Sequence, residues 1–186
     1  VGDGMEPGSE MGPLVTREHR DKVASYIESG AGQGAKVVAD GRETAPDGDG
    51  FFLGVSLLHV VTPEKDVYKD EIFGPVLSVV RAKTYDEAVS LVNDNPYGNG
   101  VALFTRDGGA ARQFQFDVNA GMVGINVPIP VPVAYYSFGG WKASLFGDSH
   151  AYGPESIHFY TRGKVVTSRW PDPATSKIDL GFPQTR

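Results

Sequence analysis

Residues 84–126 read TYDEAVSLVNDNPYGNGVALFTRDGGAARQFQFDVNAGMVGIN, and this stretch decides the fold. Thr84, followed three residues later by Glu87, makes a capping box, so a helix is predicted to open at Tyr85 with Ala88, Leu91 and Val92 on one face. Asn95-Pro96-Tyr97-Gly98 stops it. Val101 to Thr105 is a branched, apolar run that reads as a buried strand. Asp107 caps a second helix reaching Phe116, and Met122 to Asn126 returns as another strand. Alternating strands and helices predict an α/β layer with a largely parallel sheet and flanking helices, whose sites lie beyond the C-terminal ends of the strands.

Upstream, a helix is predicted from Arg17 to Ser29, capped by Thr16, with Val23, Ala24 and Ile27 on one face and Gly30 ending it. The next six residues, Gly30-Ala31-Gly32-Gln33-Gly34-Ala35, match the G-x-G-x-x-G/A dinucleotide pattern letter for letter. That pattern binds pyrophosphate when it follows a strand and opens a helix. Here it follows a helix and precedes strand-like Lys36 to Ala39, so it reads as a turn. Pro46 to Gly50 is another turn, and strands are expected at Phe51 to Val55, Leu58 to Val61 and Val76 to Arg81. Downstream, the alternating prolines of Val127 to Val133 make a stiff, extended segment that cannot sit inside a sheet and reads as a pocket wall. Ile157 to Thr167 reads as one or two strands far from any covering helix, which calls for another sheet or a neighbouring subunit's edge.

The chain has 186 residues, room for one core plus an extended appendage. A net charge of -6 gives no attraction for nucleic-acid phosphates or anionic lipid, and no apolar run approaches the roughly 20 residues of a membrane helix. The Gly/Pro-rich start has no initiator methionine and no signal pattern, as expected of a piece of something longer. Cysteine is absent, which excludes disulfides, thiolate metal sites and a cysteine nucleophile within these residues. His19, His59, His150 and His158 lack metal-ligand spacing, so no metal site is expected. Glu64, Asp66, Asp70 and Glu71 precede Ile72-Phe73-Gly74-Pro75. On charge alone they form a solvated loop, whereas a carboxylate beside an aromatic corner suits a ligand carrying a flat ring and sugar hydroxyls.

The segment Asp70-Glu71-Ile72-Phe73-Gly74-Pro75-Val76 resembles the E-x-F-G-P motif of the aldehyde dehydrogenase superfamily. Three further segments agree with it in the family's order: Asn95 to Asp107, Gly124-Ile125-Asn126, and Phe138-Gly139-Gly140-Trp141-Lys142-Ala143-Ser144. Met11 to Thr16, the proline segment, Ser144 to Asp148 and Phe159 to Pro171 are similar to the methylmalonate-semialdehyde branch, so the resemblance runs from about Glu6 to Pro171.

The resemblance implies that residues 1–155 are the C-terminal part of the aldehyde dehydrogenase catalytic domain and that 156–186 form an extended oligomerisation arm and tail. In that branch a cysteine thiolate attacks the aldehyde, hydride passes to NAD, and coenzyme A resolves the thioester. The products are propionyl-CoA or acetyl-CoA, with carbon dioxide or bicarbonate. The family's cysteine lies upstream of the segment resembling Met11 to Thr16, so no catalytic residue is expected here and the chain alone should be inactive. By motif, Glu71 would accept hydrogen bonds from the nicotinamide-ribose hydroxyls, Phe73 would pack on the nicotinamide ring, Phe138 would line the aldehyde pocket, and Asn126 would orient that loop. Phe159 to Trp170 resembles an arm added to a partner subunit, implying a homodimer or homotetramer, cytoplasmic or in the mitochondrial matrix of a eukaryote. Two alternatives stay open: a hydrolytic NAD(P)-dependent aldehyde dehydrogenase fragment, and a stand-alone binding or assembly module.

Overall fold

The computed structural model describes residues 1–46, 48–170, 172, 174 and 181. The chain divides into two compact units, Val1–Leu91 and Val92–Arg186.

In the first unit, helix α1 (Arg17–Gly32) begins where the Thr16 hydroxyl accepts the His19 N–H at 3.1 Å. Its buried face is Val23, Ile27 and Gly30, spaced i, i+4, i+7. Gly30 does not end the helix as predicted. A Cβ there would come within 3.0 Å of Val67 Cγ1 and 3.1 Å of Leu58 Cδ1, so the glycine serves close packing. The ending comes at Gly34, with φ of +88°. Gly34 N–H bonds Ala31 C=O at 3.0 Å and Ala35 N–H bonds Gly30 C=O at 2.9 Å, a Schellman motif. Residues 30–35 therefore present a carbonyl-rich helix C-terminus, electrostatically opposite to the amide-rich end that a pyrophosphate requires.

Three strands follow in the order β1-β2-β3: β1 (Lys36–Ala39), β2 (Ser56–His59) and β3 (Val76–Ser78). β1 runs antiparallel to β2 (Val37 opposite Leu58), and β2 runs parallel to β3 (Leu57 opposite Leu77). Short helix α2 (Asp66–Lys69) adds Val67 to a core of Val23, Ile27, Leu58, Val61 and Ile72. The strands are shorter than predicted. Phe51 to Val55 is not a strand: its backbone makes isolated bonds, Leu14 N–H to Phe51 C=O and Gly54 N–H to Gly41 C=O, both 2.9 Å, rather than a ladder. β2 stops at His59 because Val60 takes φ of +61°, turning the chain out of the extended region.

The boundary at Leu91 falls inside helix α3 (Tyr85–Asp94). Thr84 Oγ1 accepts the Glu87 N–H at 3.1 Å, while the Glu87 carboxylate reaches back to the Lys83 N–H at 2.7 Å. The second unit then holds β4 (Tyr97–Gly98), β5 (Gly100–Leu103), α4 (Gly108–Asp117), β6 (Met122–Ile125), β7 (Trp141–Lys142) and α5 (Ser156–Tyr160). β5 and β6 pair in parallel, Val101 opposite Val123, and α4 is their crossover. Asp107 caps α4 by accepting the Gly109 and Ala110 N–H groups at 2.7 and 3.1 Å. β4 and β7 pair antiparallel, which joins the Asn-Pro-Tyr-Gly and Phe-Gly-Gly-Trp-Lys segments. The α/β class holds, with mixed sheets: β2–β3 and β5–β6 parallel, β1–β2 and β4–β7 antiparallel.

The proline segment lies over the β5–β6 pair. A Cβ on Gly100 would come within 3.3 Å of Pro130 Cγ, and one on Gly124 within 3.2 Å of Pro130 Cβ. It is not part of the lining of one cavity in this unit, of about 490 Å³, whose walls include Gly140, Trp141, Leu145 and His150. The predicted strand at Ile157 to Thr167 is not formed either. Ser156–Tyr160 is helical, entered through a 3-10 turn with Pro154 in its first positions, where its fixed φ suits a helix start. Among the described residues, Thr161 to Trp170 has no regular structure and no ladder partner, and a strand needs such a partner to satisfy its amides. Asp47 and Pro171 lie outside the described residues. Among those described, no helix is long and apolar enough to cross a membrane.

Candidate functional site

The Asp70–Pro75 loop of the first unit is fastened at several points. Ile72, 8% exposed, anchors it in the core, while Glu71 and Phe73 on either side face outward. At its start the Tyr26 hydroxyl donates to Asp70 Oδ2 at 2.8 Å, a bond that raises the Tyr26 phenol above its ordinary value of 10.0. Further along, His19 Nε2 lies 2.8 Å from the Phe73 carbonyl. Gly74 presses on helix α1 so closely that a Cβ would come within 2.6 and 2.7 Å of the Val23 methyls. Ser56 N–H then bonds Pro75 C=O at 2.8 Å, leading the chain into β3.

Phe73 bears two costs. Its φ of +56° lies in the left-handed region, which costs a residue with a Cβ roughly 1–2 kcal/mol. Its ring is 72% exposed, forgoing burial on the order of 2 kcal/mol. An exposed ring on a left-handed backbone is the arrangement that presentation of an aromatic face to a ligand requires.

The acidic cluster separates once its partners are known. Glu64 accepts the Thr62 hydroxyl, which lowers its carboxyl below the ordinary 4.5. Asp66 accepts from Gln33 Nε2 at 2.5 Å, and Asp70 from Tyr26. Among the described residues Glu71 has no hydrogen-bond partner, so its carboxylate is the member of the four left open to an outside donor. Two carboxylate oxygens can accept from both hydroxyls of a ribose, and the neighbouring ring supplies a flat apolar surface. A shallow apolar pocket of about 250 Å³, lined by Met11, Pro13, Leu14 and Leu53, borders the loop at Gly74 and Pro75.

Phe138 belongs to the second unit, where it is half-buried. Its ring centroid lies 4.8 Å from that of Tyr152, and the Tyr152 hydroxyl donates to its carbonyl. Ser137 Oγ donates to Tyr152 C=O at 2.9 Å and accepts the Glu155 N–H at 3.0 Å. The Glu155 carboxylate in turn accepts the His150 N–H at 2.9 Å and pairs with His150 Nδ1 at 2.7 Å, and these contacts lower it from 4.5. Two close approaches demand glycines nearby. A Cβ on Gly121 would meet Gly139 O at 1.9 Å, and one on Gly140 would meet Ser144 Cβ at 2.4 Å. Lys142 Nζ donates to the Val92, Asn93 and Asn95 carbonyls at 3.2, 2.9 and 2.9 Å, capping the end of α3. Asn126 ties β6 to the end of β5 through Thr105, Oδ1 accepting its N–H at 2.9 Å and Nδ2 donating to its C=O at 3.0 Å. Its bonds thus go to the Thr105 turn and not to the Phe138 loop.

Of the residues expected at a site, Glu71 and Phe73 share one loop, and Phe138 stands in the other unit. Reading the sequence missed His19, Tyr26, Tyr152 and Glu155. The first two could have been found, because with Val23 they stand at i, i+4, i+7 on α1. Tyr152 and Glu155 carry no spacing signal. Among the described residues no cluster of histidines and acids is arranged to hold a metal.

The family model for aldehyde dehydrogenases matches residues 1–166, and the chain belongs to that family. Within it, the chain is 58% identical over 186 residues to malonate-semialdehyde dehydrogenase of Pseudomonas aeruginosa, covering 98% of itself and 37% of that protein. The crystal structure of methylmalonate-semialdehyde dehydrogenase from Oceanimonas doudoroffii matches with a TM-score of 0.85 at 54% identity, over 91% of this chain and 35% of that one. An NAD+ complex of aldehyde dehydrogenase from Bacillus cereus matches with a TM-score of 0.78 at 33% identity, over 87% of this chain and 32% of that one. The chain thus spans about a third of the length of these relatives.

Proposed function

We propose that the chain is the C-terminal portion of an NAD-dependent, CoA-acylating (methyl)malonate-semialdehyde dehydrogenase. The whole enzyme converts the semialdehyde with coenzyme A and NAD to propionyl-CoA or acetyl-CoA, carbon dioxide or bicarbonate, and NADH. The observation that carries the cofactor part of this reading is the fastened loop that holds an open carboxylate, Glu71, beside a strained and exposed ring, Phe73. Support comes from the names of the similar enzymes and from the NAD+ bound to a family neighbour. When bound, NAD supplies the hydride acceptor. Glu71 accepts hydrogen bonds from its nicotinamide ribose, Phe73 supports its nicotinamide ring, and Phe138 lines the aldehyde side. With no cysteine among the 186 residues, the thiolate lies elsewhere in the whole enzyme and this chain does not turn over by itself. Residues 1–155 are its share of the catalytic domain, and 156–186 are the arm and tail. Val165, Val166 and Trp170, 95%, 73% and 92% exposed, suit burial against a partner subunit in a homodimer or homotetramer. The enzyme acts in the cytoplasm, or in the mitochondrial matrix of a eukaryote.

The test is NADH formation from malonate semialdehyde by the full-length enzyme, with and without coenzyme A. Turnover that needs no coenzyme A and runs at an undiminished rate would sink the acylating reading. Glu71→Gln removes a charged acceptor and should lower kcat/KM for NAD about tenfold or more. Wild-type kinetics would return Glu71 to the role of a solvated surface acid.

A further inference from the structure

We infer that His19 and Tyr26 of helix α1 are positioning residues that set the direction in which Glu71 and Phe73 face the nicotinamide end of the cofactor. The inference rests on the cofactor reading of that loop and adds the groups that hold it.

His19, Val23 and Tyr26 stand at i, i+4, i+7 and so form one face of α1. All three touch the loop. Tyr26 holds Asp70 through its hydroxyl at 2.8 Å, Val23 meets Gly74, and His19 Nε2 holds the Phe73 carbonyl at 2.8 Å. One rigid helix therefore holds the loop on both sides of Glu71, by a hydrogen bond to the side chain of Asp70 before it and one to the carbonyl of Phe73 after it. A carbonyl only accepts, so His19 Nε2 carries the proton in this bond. His19 is itself fixed, since its backbone N–H is the one that caps the helix on Thr16.

The left-handed backbone of Phe73 makes this support necessary. A residue held in a sparsely populated conformation stays there only while its surroundings over-determine it, and the His19 bond falls on the carbonyl of that residue. Without the bond, Phe73 can relax toward the extended region, carrying its ring and the nearby Glu71 away from a common ligand. The loop would still exist, anchored by Ile72, but the cofactor would have to order it on binding. The loss should therefore appear in NAD recognition rather than in folding.

The experiment compares His19→Ala, His19→Gln, Tyr26→Phe and Glu71→Gln in the full-length enzyme, measuring KM for NAD and for the semialdehyde and the thermal midpoint. The expected result for His19→Ala is a rise in the NAD KM of about tenfold, equivalent to about 1.4 kcal/mol, with the semialdehyde KM within twofold of wild type. His19→Gln keeps an N–H near the Nε2 position and should recover most of the loss. Tyr26→Phe deletes one hydroxyl and should raise the NAD KM about threefold, and it gives a reading even if His19→Ala fails to fold. NAD KM values within twofold of wild type for His19→Ala and Tyr26→Phe would overturn the inference. So would equal changes in both KM values with no rescue by Gln, which mark a purely structural role. If Glu71→Gln raises the NAD KM while the His19 and Tyr26 variants do not, the cofactor reading stands and the positioning inference alone fails. If Glu71→Gln is also unchanged, the cofactor reading fails with it.

Discussion

Replacing Gly74 by alanine tests how the loop is seated on helix α1. The new Cβ would lie 2.6 and 2.7 Å from Val23 Cγ1 and Cγ2, where carbon atoms prefer about 3.5–4.0 Å, so a gap of about 1 Å must open. Val23 is 0% exposed, and its branched side chain is confined to one rotamer in a helix, so it cannot swing aside. Such overpacking costs about 1–3 kcal/mol. Gly74 is not among the glycines with left-handed φ, so alanine adds no backbone strain and recovers about 0.4–1 kcal/mol by restricting the unfolded chain. The net loss should be about 1–2 kcal/mol, read as a 5- to 30-fold fall in hydrogen-exchange protection of the α1 amides in the full-length enzyme. Val23→Ala removes both obstructing methyls, so in that background Gly74→Ala should cost nothing further. The two substitutions should then couple by about 1–2 kcal/mol. An equal loss from Gly74→Ala with Val23 intact and in the Val23→Ala background would refute the steric account.

Two other outcomes are expected. Lys142→Met keeps the aliphatic stem but deletes the ammonium that caps three carbonyls at the end of α3. It should cost about 1–2 kcal/mol, seen as faster exchange at Val92 to Asp94, and unchanged exchange there would remove Lys142 as the cap. Glu155 is lowered from 4.5 chiefly by the His150 backbone N–H and then by its ring, so its contribution is complete above pH 4.5 and is lost as pH falls through the lowered value. Glu155→Gln should abolish the pH dependence of His150 amide protection over that interval. The same dependence in both proteins would show that another group is responsible.

Legibility followed the range of the interactions. α3, α4, β5 and β6 were readable because caps at Thr84 and Asp107 and apolar runs such as Val101 to Leu103 act within a few residues of themselves. Phe51 to Val55 carries the same kind of residues as a strand, yet its backbone finds Leu14 and Gly41 instead of a ladder. Gly30 lacks a side chain, as a helix-ending glycine does, but it stands inside α1 because Val67 and Leu58, distant in sequence, occupy the space a side chain would need.

The sequence by itself determined the α/β rhythm, the ordered family motifs and the absence of a thiol, since each of these is a property of residue identity and spacing. It named Glu71 and Phe73 through motif resemblance, but charge and spacing without that resemblance offered no way to separate Glu71 from three neighbouring acids. Only the tertiary structure separated them, by giving Glu64, Asp66 and Asp70 partners at Thr62, Gln33 and Tyr26 and leaving Glu71 with none among the described residues. The physical reason is that the partners of Asp66 and Asp70 lie 33 and 44 residues away, and hydrogen bonds across such distances form only after α1 has packed against the loop.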